Sequence, residues 1–199
     1  MIRARRHPLG LAASPTEKPL VLGGLGLIGA LVITMGLMLN QAGYDAVVGG
    51  ITVLLILLLG LPALRRVESV VGPDMFKILW GGLVTKMVFS IIRYIFIFTV
   101  YDGLGDAAEY DRVGWQFAQR VRGGEFFPKL SNLEGAEDST RRLTKLTGYV
   151  YSVVGHSQYA GFFIFSLFAF AGVLLVARGI QIAMPEVDYR RLYAILLFF

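Results

Sequence analysis

The stretch Ile78–Asp111, ILWGGLVTKMVFSIIRYIFIFTVYDGLGDAAEYD, sets a 24-residue apolar run, Ile78–Tyr101, directly before four carboxylates, Asp102, Asp106, Glu109 and Asp111. About 20 apolar residues suffice for a helix to cross a hydrocarbon core of roughly 30 Å. The run therefore reads as a membrane helix that delivers an acidic cluster to the water interface. Two further runs, Leu20–Leu39 and Ala46–Leu64, precede it, and Tyr159–Ala177 follows. A fifth begins near Leu192 and stops at Phe199. Its eight residues rise only about 12 Å as a helix. The expectation is a fragment of a longer protein, truncated inside this helix.

Composition agrees with the runs. The 199 residues are 55% hydrophobic and 17% charged, with a mean hydropathy of +0.63, too apolar for a soluble domain of this length. The expected fold is an all-α membrane protein, a polytopic helical bundle of about four complete transmembrane helices plus the start of a fifth. The chain has no cysteine. That excludes disulfides, thiolate metal sites and a cysteine nucleophile.

The net charge of +5 is explained by position. Arg3, Arg5, Arg6 and Lys18 precede the first run. Arg65, Arg66 and Lys77 lie between the second and third, and Arg178, Arg190 and Arg191 between the fourth and fifth. Asn40–Asp45 has no Lys or Arg. This alternation follows the positive-inside rule and expects a multi-pass protein of the plasma (inner) membrane with a cytoplasmic N-terminus. No nucleic-acid contact is implied. The first run lacks a small-residue cleavage site, so it reads as a retained helix. Residues 1–18 read as a cytoplasmic tail and 19–199 as the transmembrane domain, with one large external loop at 102–158. That loop carries eight acidic and seven basic residues and is no polyanion binder.

Within the loop, Ala107, Tyr110, Val113, Gly114, Phe117, Ala118 and Val121 recur at helical spacing. They predict an amphipathic helix from Asp106 to Arg122 lying in the interface plane. Asp106 suits its first turn, and Gly123-Gly124 suits its end. Residues 125–140 read as a loop. Residues 144–158 are polar and aromatic and are expected to pack back on the membrane. Trp115, Tyr149, Tyr151 and Tyr159 fit an interfacial aromatic belt, with sugar stacking as the alternative. His156 reads as an interfacial residue before it reads as a catalytic one. Gly23, Gly24, Gly26 and Gly29 read as marks of close helix packing.

The acidic cluster is the candidate for chemistry. On a helix Asp106 and Tyr110 share a face, Glu109 lies close by, and Asp102 could approach from the preceding loop. Carboxylates there could take a proton from a hydroxyl, or hold a divalent metal ion such as Mg or Mn that grips a phosphate. The alternative is helix capping and a solvated acidic face. Asp111 leaves the Asp106–Tyr110 face and is expected to matter little. Lys86 and Arg93 lie within about 6 Å of the midpoint of their run and share a face. Intramembrane cations are costly, so they should face a bundle interior, an aqueous cavity or a lipid phosphate.

The pattern Gly105-Asp106-Ala107-x-x-Tyr110, followed by an amphipathic helix in a large external loop, resembles the GT-C superfamily of polytopic membrane glycosyltransferases. About twenty residues carry the likeness directly, and here a helix hairpin precedes the loop where the family commonly has one helix. The resemblance implies transfer of a sugar from a polyprenyl-phosphate carrier to an external glycan acceptor in cell-envelope assembly. It makes Asp106 the catalytic or metal-binding residue, with Asp102 competing for that role. Glu109 would assist, Lys86 and Arg93 would hold the carrier phosphate, and Tyr110 would contact substrate. The partners expected are the lipid-linked sugar donor, the acceptor and membrane lipids. A lipid-linked glycan flippase or polymerase component, or a non-enzymatic membrane subunit, are the alternatives.

Overall fold

The computed structural model describes residues 17–38, 43–102, 106–129 and 141–198. Most of the expected tail, Gly105 of the motif and most of the expected 125–140 loop lie outside them. Every regular element among the described residues is helical. In chain order these are α1 (Lys18–Met38), α2 (Gly43–Val71), α3 (Phe76–Ile95), α4 (Asp106–Arg122), α5 (Arg141–Val154), α6 (Gln158–Ala183) and α7 (Tyr189–Phe198). A π turn, Phe96–Val100, prolongs α3.

Three of these helices are long and apolar enough to cross a membrane: α2, α3 with its π turn, and α6. Such an architecture fits a membrane protein. The described part of α1 supplies a shorter apolar stretch, Lys18–Ala30, and α7 runs for 10 residues. The described residues thus supply three of the four complete spans expected from the sequence.

The core forms where α3 meets α1, α2, α6 and α7. Phe76, Trp80, Leu83 and Met87 recur at turn spacing along α3 and are fully enclosed, with Leu57, Ile28, Tyr193 and Leu197 against them. The Trp80 indole donates to the Leu20 carbonyl of α1 at 3.3 Å, so its one polar atom is satisfied inside the bundle. Small residues let the helices approach. A Cβ on Gly49 of α2 would sit 2.5 Å from Cβ of Tyr159 on α6. Of Gly23, Gly24, Gly26 and Gly29 on α1, Gly24 serves such a contact, against Trp80 and Val84, while the other three have open space.

Outside this bundle α4 and α5 form a hairpin. The apolar face read from the sequence is the one α4 buries: Val113, Gly114, Phe117 and Ala118. It faces α5, and Gly114 and Gly148 bring the two backbones together against Thr147 and Phe117. At its end Glu125 N–H reaches back to the Arg120 carbonyl at 3.0 Å, with Gly124 at φ +98°. Glycine adopts that left-handed conformation without a Cβ clash.

Candidate functional site: the capped end of the bundle

The hairpin α4–α5 closes one end of the bundle, over the N-terminal turns of α2 and α6 and the last turn of α3. Its anchor is Asp111. This carboxylate accepts from the Tyr151 hydroxyl of α5 at 2.7 Å and from the Gln158 amide of α6 at 2.9 Å. The imidazole Nε2 of His156, in the α5–α6 link, lies 3.1 Å away. One side chain thus ties three segments, through charge-assisted hydrogen bonds that are stronger than neutral ones.

Local geometry sets these partners in place. Gly155, at φ +91°, ends α5 with its N–H on the Tyr151 carbonyl at 2.9 Å. The chain then turns at once into α6, whose N-cap is Ser157: its hydroxyl oxygen accepts from Ala160 N–H at 3.1 Å. The same hydroxyl donates to Asp45 Oδ1 at 2.5 Å, and that oxygen also accepts from Tyr159 N–H at 3.3 Å. Asp45, in the first turn of α2, thereby satisfies the start of α6 as well. Arg122 closes the other side of the link, donating to the Ser152 and Tyr151 carbonyls at 3.0 and 3.1 Å.

Two aromatic rings flank the imidazole, which stays partly exposed. Trp115 stacks on His156 with centroids 4.9 Å apart, and Tyr151 meets it edge-on at 5.5 Å. Arg122 sits over the Trp115 ring at 5.5 Å. Tyr151 and Tyr159 are buried, so they are packing residues of the capped end and not members of an exposed belt. Tyr94 of α3 packs against Tyr159 with the rings tilted and their centroids 4.0 Å apart, and its hydroxyl donates to the Gln158 side-chain carbonyl oxygen at 3.4 Å.

The electrostatics follow from these contacts. Burial alone would favour a neutral Asp111, but hydrogen bonds from His156, Gln158 and Tyr151 outweigh it and hold the carboxyl below its usual range. The hydrogen bond to Asp111 raises His156 above its ordinary value, against the opposing effect of burial. Burial, then the Asp111 charge, push the Tyr151 hydroxyl far up, so Tyr151 acts here as a donor only.

The residues singled out in the sequence lie around this hub. Asp106 is exposed in the first turn of α4. Asp102 is exposed just after the π turn, in a left-handed conformation at φ 50° that Asp tolerates better than most residues. Glu109 and Tyr110 are half-buried on α4. Arg93 is exposed in the last turn of α3, and Lys86 is half-buried seven residues below it. Their neighbours Phe89, Ile92 and Phe96 are exposed too, so these cations border the outer surface of the bundle and not its interior. Among the described residues no three His, Asp or Glu side chains converge to hold a metal ion. Asp111, His156 and Asp45 are the residues that sequence reasoning passed over. No family profile, characterised protein or solved structure matches the chain.

Proposed function

We propose that the chain is a membrane glycosyltransferase of the GT-C kind, moving a sugar from a polyprenyl-phosphate carrier to an external glycan acceptor in cell-envelope assembly. The observation that carries this reading is the seating of α4. The Asp111 clamp holds the helix rigidly on the end of the bundle while its first turn presents Asp106 to water. Arg93 lies on the outer surface of α3 near the same end, where a carrier sliding in the bilayer would bring its phosphate.

In the reaction Asp106 takes the proton of the acceptor hydroxyl as that oxygen bonds to the anomeric carbon. The bond from that carbon to the phosphate oxygen breaks, and the polyprenyl phosphate leaves with the electron pair. Arg93 and Lys86 attract the phosphate, Glu109 and Asp102 support the negative field, and Tyr110 contacts the sugar. Asp106 and Asp102 are the carboxylates that would hold a divalent ion, which would grip the carrier phosphate; among the described residues no third carboxylate or imidazole converges with them. The capped end is external, the Arg65 end cytoplasmic, and the membrane is the plasma membrane.

The test is turnover of a radiolabelled polyprenyl-phosphate sugar in vesicles containing the protein. Asp106→Asn should abolish it, and Arg93→Gln should weaken carrier binding. Cysteines at Ser69 and Gln119, in a chain that has none of its own, should label from opposite sides. A second reading, a non-enzymatic membrane subunit, is favoured by the engagement of Asp111, whose oxygens are all committed to holding helices together. It predicts normal carrier turnover in Asp106→Asn.

A further inference from the structure

We propose that the outer face of α5, with the Phe126–Phe127 turn beside it, lies in the headgroup boundary of an anionic phospholipid leaflet. The inference rests on the bundle spanning a membrane and is independent of the glycosyl-transfer reading. It begins from an inversion. The side of α5 turned inward carries Thr144, Thr147, Gly148 and Tyr151. The opposite side presents Leu146 and Tyr149, 40% and 37% exposed, and Val153, 83% exposed. Thr147 satisfies its hydroxyl on the Leu143 carbonyl at 2.9 Å, which is how a polar residue sits inside while leucine and valine sit outside.

The hairpin is two-sided as a result. The outward side of α4 is polar, with Arg112 and Gln119 exposed. The outward side of α5 is apolar, and the turn after α4 extends it with Phe126 and Phe127, 68% and 85% exposed. The Tyr149 hydroxyl donates to the Phe126 carbonyl at 3.1 Å and fixes that turn against α5. Removing such a surface from water is favourable in proportion to its apolar area.

Charge decides between occupants. Arg142, Lys145 and Lys129 are exposed along this face, and α5 contains no carboxylate. Glu125, beside the turn, faces Arg120 at 3.8 Å. Apolar and aromatic side chains bordered by cations match acyl chains bordered by phosphates, the arrangement of interfacial helices. Long Arg and Lys stems can lie along the apolar zone while their heads reach the phosphates.

The cysteine-free chain allows spin labels at Phe127→Cys, Leu146→Cys and Val153→Cys, one at a time, in phosphatidylcholine vesicles with and without phosphatidylglycerol. Leu58→Cys, on the exposed side of the spanning helix α2, and Gln119→Cys, on α4, are the references. The three labels should be reached by dissolved oxygen and shielded from a water-soluble nickel complex, as at Leu58 and unlike Gln119. Labels that behave as at Gln119 would overturn the proposal, and labels shielded from both reagents would assign the face to a protein partner instead. A Leu58 label open to the nickel complex would show that the membrane reading itself had failed. The double variant Arg142→Gln/Lys145→Gln should lower enrichment of spin-labelled phosphatidylglycerol around the protein, by up to about fivefold per charge removed. Unchanged enrichment would overturn the anionic part of the assignment.

Discussion

Each end of the bundle is organised around one half-buried ion, and the two ions have opposite sign. At the end away from the hairpin, Arg65 of α2 pairs with Glu17, just before α1, and with Glu68 one turn on at 3.1 Å, while its guanidinium covers the Phe76 ring at 3.7 Å. Glu68 also accepts from Phe76 N–H at 3.1 Å and so caps α3. At the capped end Asp111 is held by two neutral donors and an imidazole. Both clusters tie three segments. The Arg65 cluster is built from a guanidinium and carboxylates and contains no imidazole. The imidazole beside Asp111 is raised above its ordinary value by the hydrogen bond to that carboxylate, so the capped end carries a group that can change charge. Asp106 is an exposed carboxylate in the first turn of α4, the helix that Asp111 anchors.

The largest effect should come from the group on the capped end that holds nothing together. Asp106→Asn can still cap α4 but cannot take a proton. Loss of a general base lowers turnover by about 10²–10⁴-fold, with thermal stability unchanged, as measured by carrier consumption beside a melting curve. Near-normal turnover in Asp106→Asn with a large loss in Asp102→Asn would move the base one loop back.

Next in size is the clamp. Asp111→Asn keeps the shape but loses the charged acceptor of three hydrogen bonds, and should destabilise the chain by about 1–3 kcal/mol. Denaturant unfolding in detergent would read it. Arg65→Gln should cost less, about 1–2 kcal/mol, because part of the guanidinium already meets solvent and its partners can be hydrated. A larger loss from Arg65→Gln than from Asp111→Asn would reverse the ranking of the two ends.

How much of this could be read from the sequence depends on how far apart the interacting residues lie. The spans α2, α3 and α6 show as apolar runs. The α4 helix shows in its apolar spacing, its acidic first turn and its terminal Gly-Gly, all local signals. The α5 helix escapes because its buried face is Thr144, Thr147, Gly148 and Tyr151 while its leucines point out; a search for an apolar stripe finds the wrong side. Asp111 escapes because its partners lie 40 to 47 residues away, although helical spacing does place it off the Asp106 face. Asp45 and Ser157 are separated by 112 residues. The short run Gly155-His156-Ser157-Gln158 was the available clue, a helix stop followed by an N-cap. Lys86 and Arg93 both lie on α3, Arg93 in its last turn, but which way they face depends on neighbours that only packing supplies.

The smallest effect is the one that most sharpens the contrast between the ends. Asp111 is held below its ordinary carboxylate value, near 3.8, so its contribution to stability is present above that pH and lost as pH falls through the lowered value. His156 is held above its ordinary value of 6.5, so its contribution is complete below 6.5 and fades as pH rises through the raised value. The clamp is therefore strongest between about pH 4 and 6.5 and weakens as the pH rises through the raised His156 value. The imidazole is partly exposed, so solvent screening keeps the change below about 1 kcal/mol. Melting temperatures across this range should fall on the alkaline side in the wild type and in Arg65→Gln alike. In His156→Gln, where an uncharged amide stands beside Asp111, the alkaline slope should vanish. If the slope survives in His156→Gln and vanishes in Arg65→Gln, the titrating end is the other one, and the assignment of the charge-changing group to the capped end loses its physical basis.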